Sequence, residues 1–226
     1  MEDLQQLQKK LNVKFDNPGL LQQAFVHRSY LNEHSFTPGH NERLEFLGDA
    51  VLELIVTEYL YAKFPDKPEG ELTALRAALV RRETLKEVAD ELEFHKYLLL
   101  SKGEAKNAKD QAALLSNTVE AFIGALFLDQ DLTVVRKFID TYLLFKTDTI
   151  LQSQAYIDDK SHLQELAQDK EGITPTYQVI SENGPDHNKI FKVAVYLNGR
   201  ELARGTGNSK QAAETDAAAN ALKTYS

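Results

Sequence analysis

The sequence predicts two domains of different class, an all-α N-terminal domain followed by an α+β C-terminal domain of order α-β-β-β-α. Three observations predict this. Segment after segment within residues 1–150 carries apolar side chains at three- and four-residue spacings, the period of amphipathic helices. Residues 190–197, "IFKVAVYL", alternate strictly and run into Asn198-Gly199, the pattern of a half-buried strand entering a two-residue hairpin. An alanine-rich segment, "SKQAAETDAAANALKTY", follows the return strand and reads as a helix. A length of 226 residues suits one large domain or two small ones.

In chain order, the predicted helices are "GLLQQAFVHRSYL", "RLEFLGDAVLELIVTEYLYAKF", "ELTALRAALVRRETLKEVADEL" and "LSNTVEAFIGALFLD". Pro18, Gly39, Pro65, Pro68 and Gly70 punctuate them. Residues 147–159, "TDTILQSQAYIDD", have weak periodicity and many polar residues, so they read as a helix end and a linker. The expected boundaries are a helical domain over 1–150, a linker over 151–158 and a second domain over 159–226. That second domain begins with a short helix, "KSHLQELAQDK", ending before Gly172. "TYQVIS", "IFKVAVYL" and "RELARGTG" are its strands. The whole is a two-layer module.

Composition narrows the function. The net charge of −8 disfavours blanket binding to nucleic acid or anionic membrane but leaves room for a local basic patch. There is no cysteine, which excludes disulfides and thiolate metal sites and fits a reducing cytoplasm. "MEDLQQLQKKLNVKF" lacks the apolar run of a signal peptide. No window is expected to approach a membrane span. The expectation is a soluble cytoplasmic protein with no membrane partner.

One helix carries an unusual charge pattern. At about 100° per residue, Glu42, Glu45, Asp49 and Glu53 fall in one narrow sector, with Leu44, Leu47, Val51, Leu54 and Ile55 opposite. Like charges at this spacing repel. The ordinary explanation is a solvated acidic face. Against it, the face has no lysine partner at helical spacing, and Phe46 sits beside it, on the wrong side for a core residue. A second helix groups Asn117, Glu120, Ala121 and Gly124 in one sector, whose small residues would let another helix or a ligand approach closely. Together the two helices could present hard oxygen donors, which suit Mg²⁺ or Mn²⁺ better than zinc. A hard-metal cluster without a nucleotide-binding loop points to metal-assisted phosphodiester chemistry.

"HNERLEFLGDAVL" resembles the signature of the ribonuclease III family, a highly specific match. "PEGELTALRAALV" and "NTVEAFIGALFLD" resemble the family's next blocks in the right order. The α-β-β-β-α tail resembles a double-stranded RNA-binding domain, so the likeness covers nearly the whole chain and matches the short bacterial type. The resemblance implies the ribonuclease III endonuclease fold and Mg²⁺-dependent cleavage of double-stranded RNA, with Mn²⁺ able to substitute. It also implies a homodimer whose subunits each cut one strand, leaving 5′-phosphates, 3′-hydroxyls and short 3′ overhangs. Ribosomal RNA precursors and other RNAs are the implied substrates. The metal ligands map to Glu45, Asp49, Asn117 and Glu120. Glu42 and Glu69 match two further acidic residues of the catalytic cluster, and Phe46 matches an aromatic that inserts into the partner subunit. Glu53 matches no family role and reads as solvated.

Position 117 departs from the family, which usually has Asp there. The amide oxygen of Asn117 can ligate Mg²⁺ but brings no charge and accepts no proton. The expectation is cleavage that needs more metal or prefers Mn²⁺. The alternative is a double-stranded RNA-binding protein with weakened or absent cleavage. A third reading, an acidic helical scaffold with solvated carboxylates, needs neither RNA nor metal.

Recognition of duplex RNA without regard to sequence needs contacts to 2′-hydroxyls and phosphates. Ser161, Gln164 and Glu165 resemble the family's first minor-groove contacts, and His187, in "GPDH", resembles the residue reaching the second minor groove. Lys210, opening the last helix, suits a phosphate. Taken singly, each reads as an ordinary surface residue; the three sites together in this module carry the RNA reading. Gln211 stands where the family usually has a second lysine. From Asp158 onward eight Lys and Arg face ten acids, a net of −2, so binding must rest on a local patch and be salt-sensitive. "GTGNSK" fits neither nucleotide-binding pattern, so no nucleotide cofactor is expected. His27, His34 and His40 lack zinc-ligand spacing, with His34 and His40 placed in a surface loop; Arg28 and Asn41 are expected to hold the loops near the cluster.

Overall fold

The computed structural model describes residues 4–153, 156, 159–185 and 189–225. By contact, the chain divides into two units, Met1–Tyr156 and Ile157–Ser226.

The first unit is helical. Its helices are α1 (Leu4–Leu11), α2 (Pro18–Ala24), α3 (Glu42–Lys63), α4 (Glu69–Val80), α5 (Arg82–Glu91), α6 (Ala112–Asp129), α7 (Leu132–Tyr142) and α8 (Thr147–Ser153). Helix α2 starts where it does because Pro18 supplies the first helical φ and Asn17 Oδ1 accepts from the Gly19 N–H at 3.0 Å. Asp131 caps α7 in the same way, accepting from the Thr133 and Val134 amides.

Helix α6 runs through the middle of this unit and is buried on nearly every side. It is apolar and long enough to pass for a membrane span, contrary to the expectation from the sequence, but most of it is buried inside the unit. Its apolarity serves the core: the Phe122 ring packs against Phe15, Phe94 and Phe138 with centroids 5.7, 5.3 and 5.0 Å apart. Such edge and tilted contacts add to the burial of a large ring.

Three expectations need correction. "GLLQQAFVHRSYL" is not one helix. Helix α2 ends at Ala24, Val26 forms a parallel bridge with Leu99, and a 3₁₀ turn follows over Arg28–Asn32. "ELTALRAALVRRETLKEVADEL" is likewise two helices, broken at Arg81, whose ψ of 155° is extended. The break is held by Thr84, whose hydroxyl donates to the Ala78 carbonyl at 2.8 Å. Leu54, placed on the core side of α3, is exposed. The helix is longer than its packed stripe, so the wheel drawn on its first turns does not describe all of it.

The second unit is a three-stranded antiparallel sheet in the order β1 (Thr176–Asn183), β2 (Ile190–Leu197), β3 (Arg200–Gly207), with α9 (Asp159–Glu171) and α10 (Lys210–Tyr225). The β2–β3 turn has Asn198 at φ 49° and Gly199 at φ 78°, the left-handed pair that an Asn-Gly hairpin requires. The alanines of α10 have a steric reason. A Cβ on Gly205 would lie 2.1 Å from the Ala217 amide nitrogen, so sheet and helix touch backbone to backbone. Leu163, Val195, Ala217, Ala218 and Ala221 form the buried core beneath.

Candidate active site

The first unit places Glu45 and Asp49 one turn apart on α3, and Asn117 and Glu120 one turn apart on α6. Two glycines bring these helices together. A Cβ on Gly48 would lie 1.8 Å from the Glu120 carbonyl oxygen, and one on Gly124 would lie 2.1 Å from that of Leu44. No other residue type allows this approach. The small-residue sector read on α6 is thus where α3 packs.

The electrostatics follow from that contact. Burial first, then the charges of Asp49 and Glu45, push the Glu120 carboxyl up to about 7. Glu45 is also raised, by burial and then by Glu42 and Asp49, while a hydrogen bond from Asn117 opposes the shift. No cation figures among the charges acting on either group. Among the described residues no three His, Cys, Asp or Glu side chains already sit at the spacing that holds a metal ion. The donor set still fits a hard divalent cation: a largely buried carboxylate whose charged neighbours are carboxylates, plus a neutral amide oxygen.

Glu42, the first residue of α3, is held from outside the cluster. Its carboxylate lies 3.4 Å from Arg28 and 3.8 Å from His40. Arg28, read from sequence as a loop-holding residue, therefore touches a carboxylate of the column directly. Asn41 is buried and donates to the Ala24 carbonyl at 3.0 Å. Sequence reasoning missed the His27 tether. Its Nδ1 accepts from the Ser29 amide, while Ser29 Oγ lies 2.9 Å from Nδ1 and accepts from the Ser101 amide. Nδ1 is thereby the acceptor, so the neutral ring carries its proton on Nε2. Burial lowers the His27 pKa, against the pull of Glu104 and Glu42, which keeps that ring neutral.

Glu69 does not figure among the charges acting on Glu45 or Glu120. It opens α4, exposed, and accepts from the Thr73 hydroxyl at 2.9 Å. Glu53 is exposed, as its solvated reading expects. Phe46 is 81% exposed, which rules out a core role in the isolated chain. It borders an apolar hollow of about 750 Å³ with Leu20, Pro38, Leu44, Leu47 and Leu128.

In the second unit, Ser161 and Gln164 line a polar depression of about 260 Å³ with Lys160, Tyr177, Gln211 and Thr215. Glu165 is exposed on the same helix. Lys210 is the first residue of α10, 3.5 Å from Glu182 and over the Phe191 ring. Lys160 pairs with Glu214 at 2.6 Å, an acid at the head of α10 that sequence reading passed over. His187 lies outside the described residues.

Comparison with known proteins accounts for both units. Residues 17–147 match the family described as ribonuclease-III-like. The chain belongs to the ribonuclease III family. Residues 160–225 match the double-stranded RNA binding motif. Ribonuclease 3 of Enterococcus faecalis is 47% identical over 220 residues, covering 96% of this chain and 95% of that one. Ribonuclease 3 of Streptococcus pneumoniae is 44% identical over 226 residues, covering 99% and 97%. Among solved structures, a nuclease domain of ribonuclease III from Campylobacter jejuni superposes with a TM-score of 0.57 at 36% identity. It covers 62% of this chain and 95% of its own, and its study concerns flexibility in a region involved in dimer formation. The ribonuclease III resemblance carried by "HNERLEFLGDAVL" therefore holds along the chain, which is of the short bacterial type.

Proposed function

We propose that this protein is an endoribonuclease that cuts double-stranded RNA by divalent-metal-assisted hydrolysis. Residues 1–150 pair and cut, residues 151–158 link, and residues 159–226 grip the duplex. The observation that carries the reading is the apposition of Glu45 and Asp49 with Glu120 and Asn117 across the Gly48–Gly124 contact, in a chain that also matches an RNA-binding motif.

Glu45, Asp49 and Glu120, with the Asn117 amide as the neutral fourth donor, would hold Mg²⁺ or Mn²⁺. When bound, the cation supplies activation of water and stabilisation of the leaving 3′ oxygen. Arg28 and His40 fix Glu42 at the helix start, and Glu42 flanks Glu45. Water attacks phosphorus in line, the P–O3′ bond breaks, and a cluster carboxylate accepts the proton. The products carry a 5′-phosphate and a 3′-hydroxyl. Glu69 joins the catalytic set from the acidic positions shared with the family. Phe46 enters the apolar hollow of a second copy, which makes the homodimer that leaves staggered ends. Ser161, Gln164, Glu165, His187 and Lys210 contact the duplex. The setting is cytoplasmic processing of ribosomal and messenger RNA.

A second reading, RNA binding with little cleavage, is favoured by one observation, the missing charge at Asn117. End mapping separates the two. Incubation of a long perfect duplex with Mg²⁺ should give 5′-phosphorylated fragments with short 3′ overhangs and leave single strands intact. A duplex that stays whole in both Mg²⁺ and Mn²⁺ would leave only the binding reading.

A further inference from the structure

Helix α9 packs through a narrow face. Its buried residues are Leu163 and Ala167, one turn apart, and Lys160 stands one turn before Leu163 on the same face. Asp159 and Lys160 are half-buried, while Ser161 and His162 are exposed. The first turn therefore has no apolar anchor of its own, and Lys160 supplies a polar one. Its Nζ donates to Glu214 of α10 at 2.6 Å and lies 5.0 Å from the ring centroid of Tyr177 on β1. The two side chains are only 32% and 27% exposed, so the pair is screened less than an ordinary surface pair and holds more firmly. It ties the first turn of α9 to both α10 and the sheet. Ser161 and Gln164 line the polar depression that Lys160 and Tyr177 border, with Gln211 and Thr215 of α10 across from them.

An acid on an RNA-binding unit repels phosphates, so on charge alone the loss of Glu214 would tighten binding. Its pairing with Lys160 gives it another use. We propose that Lys160 and Glu214 are positioning residues for duplex binding. Their contact fixes the first turn of α9 so that Ser161 and Gln164 reach one minor groove together, and Lys160 is committed to Glu214 rather than to a phosphate. Ordering this turn before RNA arrives spares the complex that entropic cost. The role rests on the reading above that α9 meets the duplex through Ser161 and Gln164.

Titration of a fluorescently labelled duplex with the full chain in Ca²⁺ tests it. Glu214→Gln should weaken binding about three- to tenfold, although it removes a negative charge. Lys160→Met should weaken it to a similar extent and leave the log–log salt slope of wild type unchanged, whereas loss of a phosphate contact would reduce that slope by about 1. Lys160→Arg keeps the ion pair and the ring contact and should bind within about twofold of wild type, which keeps the test readable if Lys160→Met folds poorly. Gln164→Ala should cost less in the Glu214→Gln background than in wild type, because a Gln164 that is no longer positioned has less to lose. Equal or tighter binding by Glu214→Gln overturns the role, as does a salt slope reduced by about 1 in Lys160→Met. A Gln164→Ala cost that is the same in both backgrounds also overturns it. A wild type that forms no complex overturns the duplex reading itself, and this role with it.

Discussion

Gly48 and Gly124 meet where α3 crosses α6, each so close to the opposite backbone that a Cβ would lie about as far from a carbonyl oxygen as 1.8 or 2.1 Å. Everything proposed for the cluster depends on this contact, because it sets the distance between Glu45 and Asp49 on one helix and Glu120 on the other. Gly48→Ala should therefore destabilise the protein by about 3 kcal/mol or more, beyond ordinary overpacking, since backbone cannot move aside as a side chain can. Urea denaturation checks it. A loss below about 1 kcal/mol would mean the helices are not locked here.

Glu120 makes metal-free stability depend on pH. Its folded pKa of about 7 lies above the ordinary 4.5, so the folded state holds this proton more tightly than the unfolded one. The stabilisation is complete below about 4.5 and is lost as pH rises through about 7. In EDTA, wild-type Tm should fall across that window. Glu120→Gln should flatten the fall and raise Tm at pH 8, while abolishing cleavage. Parallel pH profiles for the two proteins would remove the burial account of Glu120.

Phe46 is too exposed to stabilise a monomer, so Phe46→Ala should leave the Tm of the isolated subunit nearly unchanged and weaken self-association by about 2 kcal/mol. Sedimentation over a concentration series reads it. A variant that associates like wild type would place the interface elsewhere.

Lys210 pairs with Glu182 in the free protein. On the proposed reading, a bound phosphate would replace that partner. Lys210→Ala should weaken duplex binding for all sequences alike and reduce the log–log salt slope by about 1. An unchanged slope, measured by titration at several KCl concentrations, would remove Lys210 from the phosphate contacts.

The second unit was more legible in sequence than the first. Strands β2 and β3 start and stop where "IFKVAVYL" and "RELARGTG" do, because strict alternation and an Asn-Gly turn are local signals. The breaks at Val26 and Arg81 were not legible because their causes are distant in the chain or made by side chains: a bridge to Leu99 and a hydroxyl from Thr84 to Ala78. At the candidate site, the wheel and the family motif gave Glu45, Asp49, Asn117 and Glu120. They gave neither the Gly48 contact nor the pairing of Glu42 with Arg28 and His40, since both need the packed structure.

The central claim is that one chain both grips duplex RNA and cuts it with a divalent cation. Gel shift of a long duplex in Ca²⁺, followed by addition of Mg²⁺, tests it most directly. The account predicts a retarded complex in Ca²⁺ that turns into discrete short products in Mg²⁺ with wild type, and a complex that persists uncut with Glu120→Gln. A wild-type complex that survives Mg²⁺ and Mn²⁺ intact, or the absence of any complex, would contradict it.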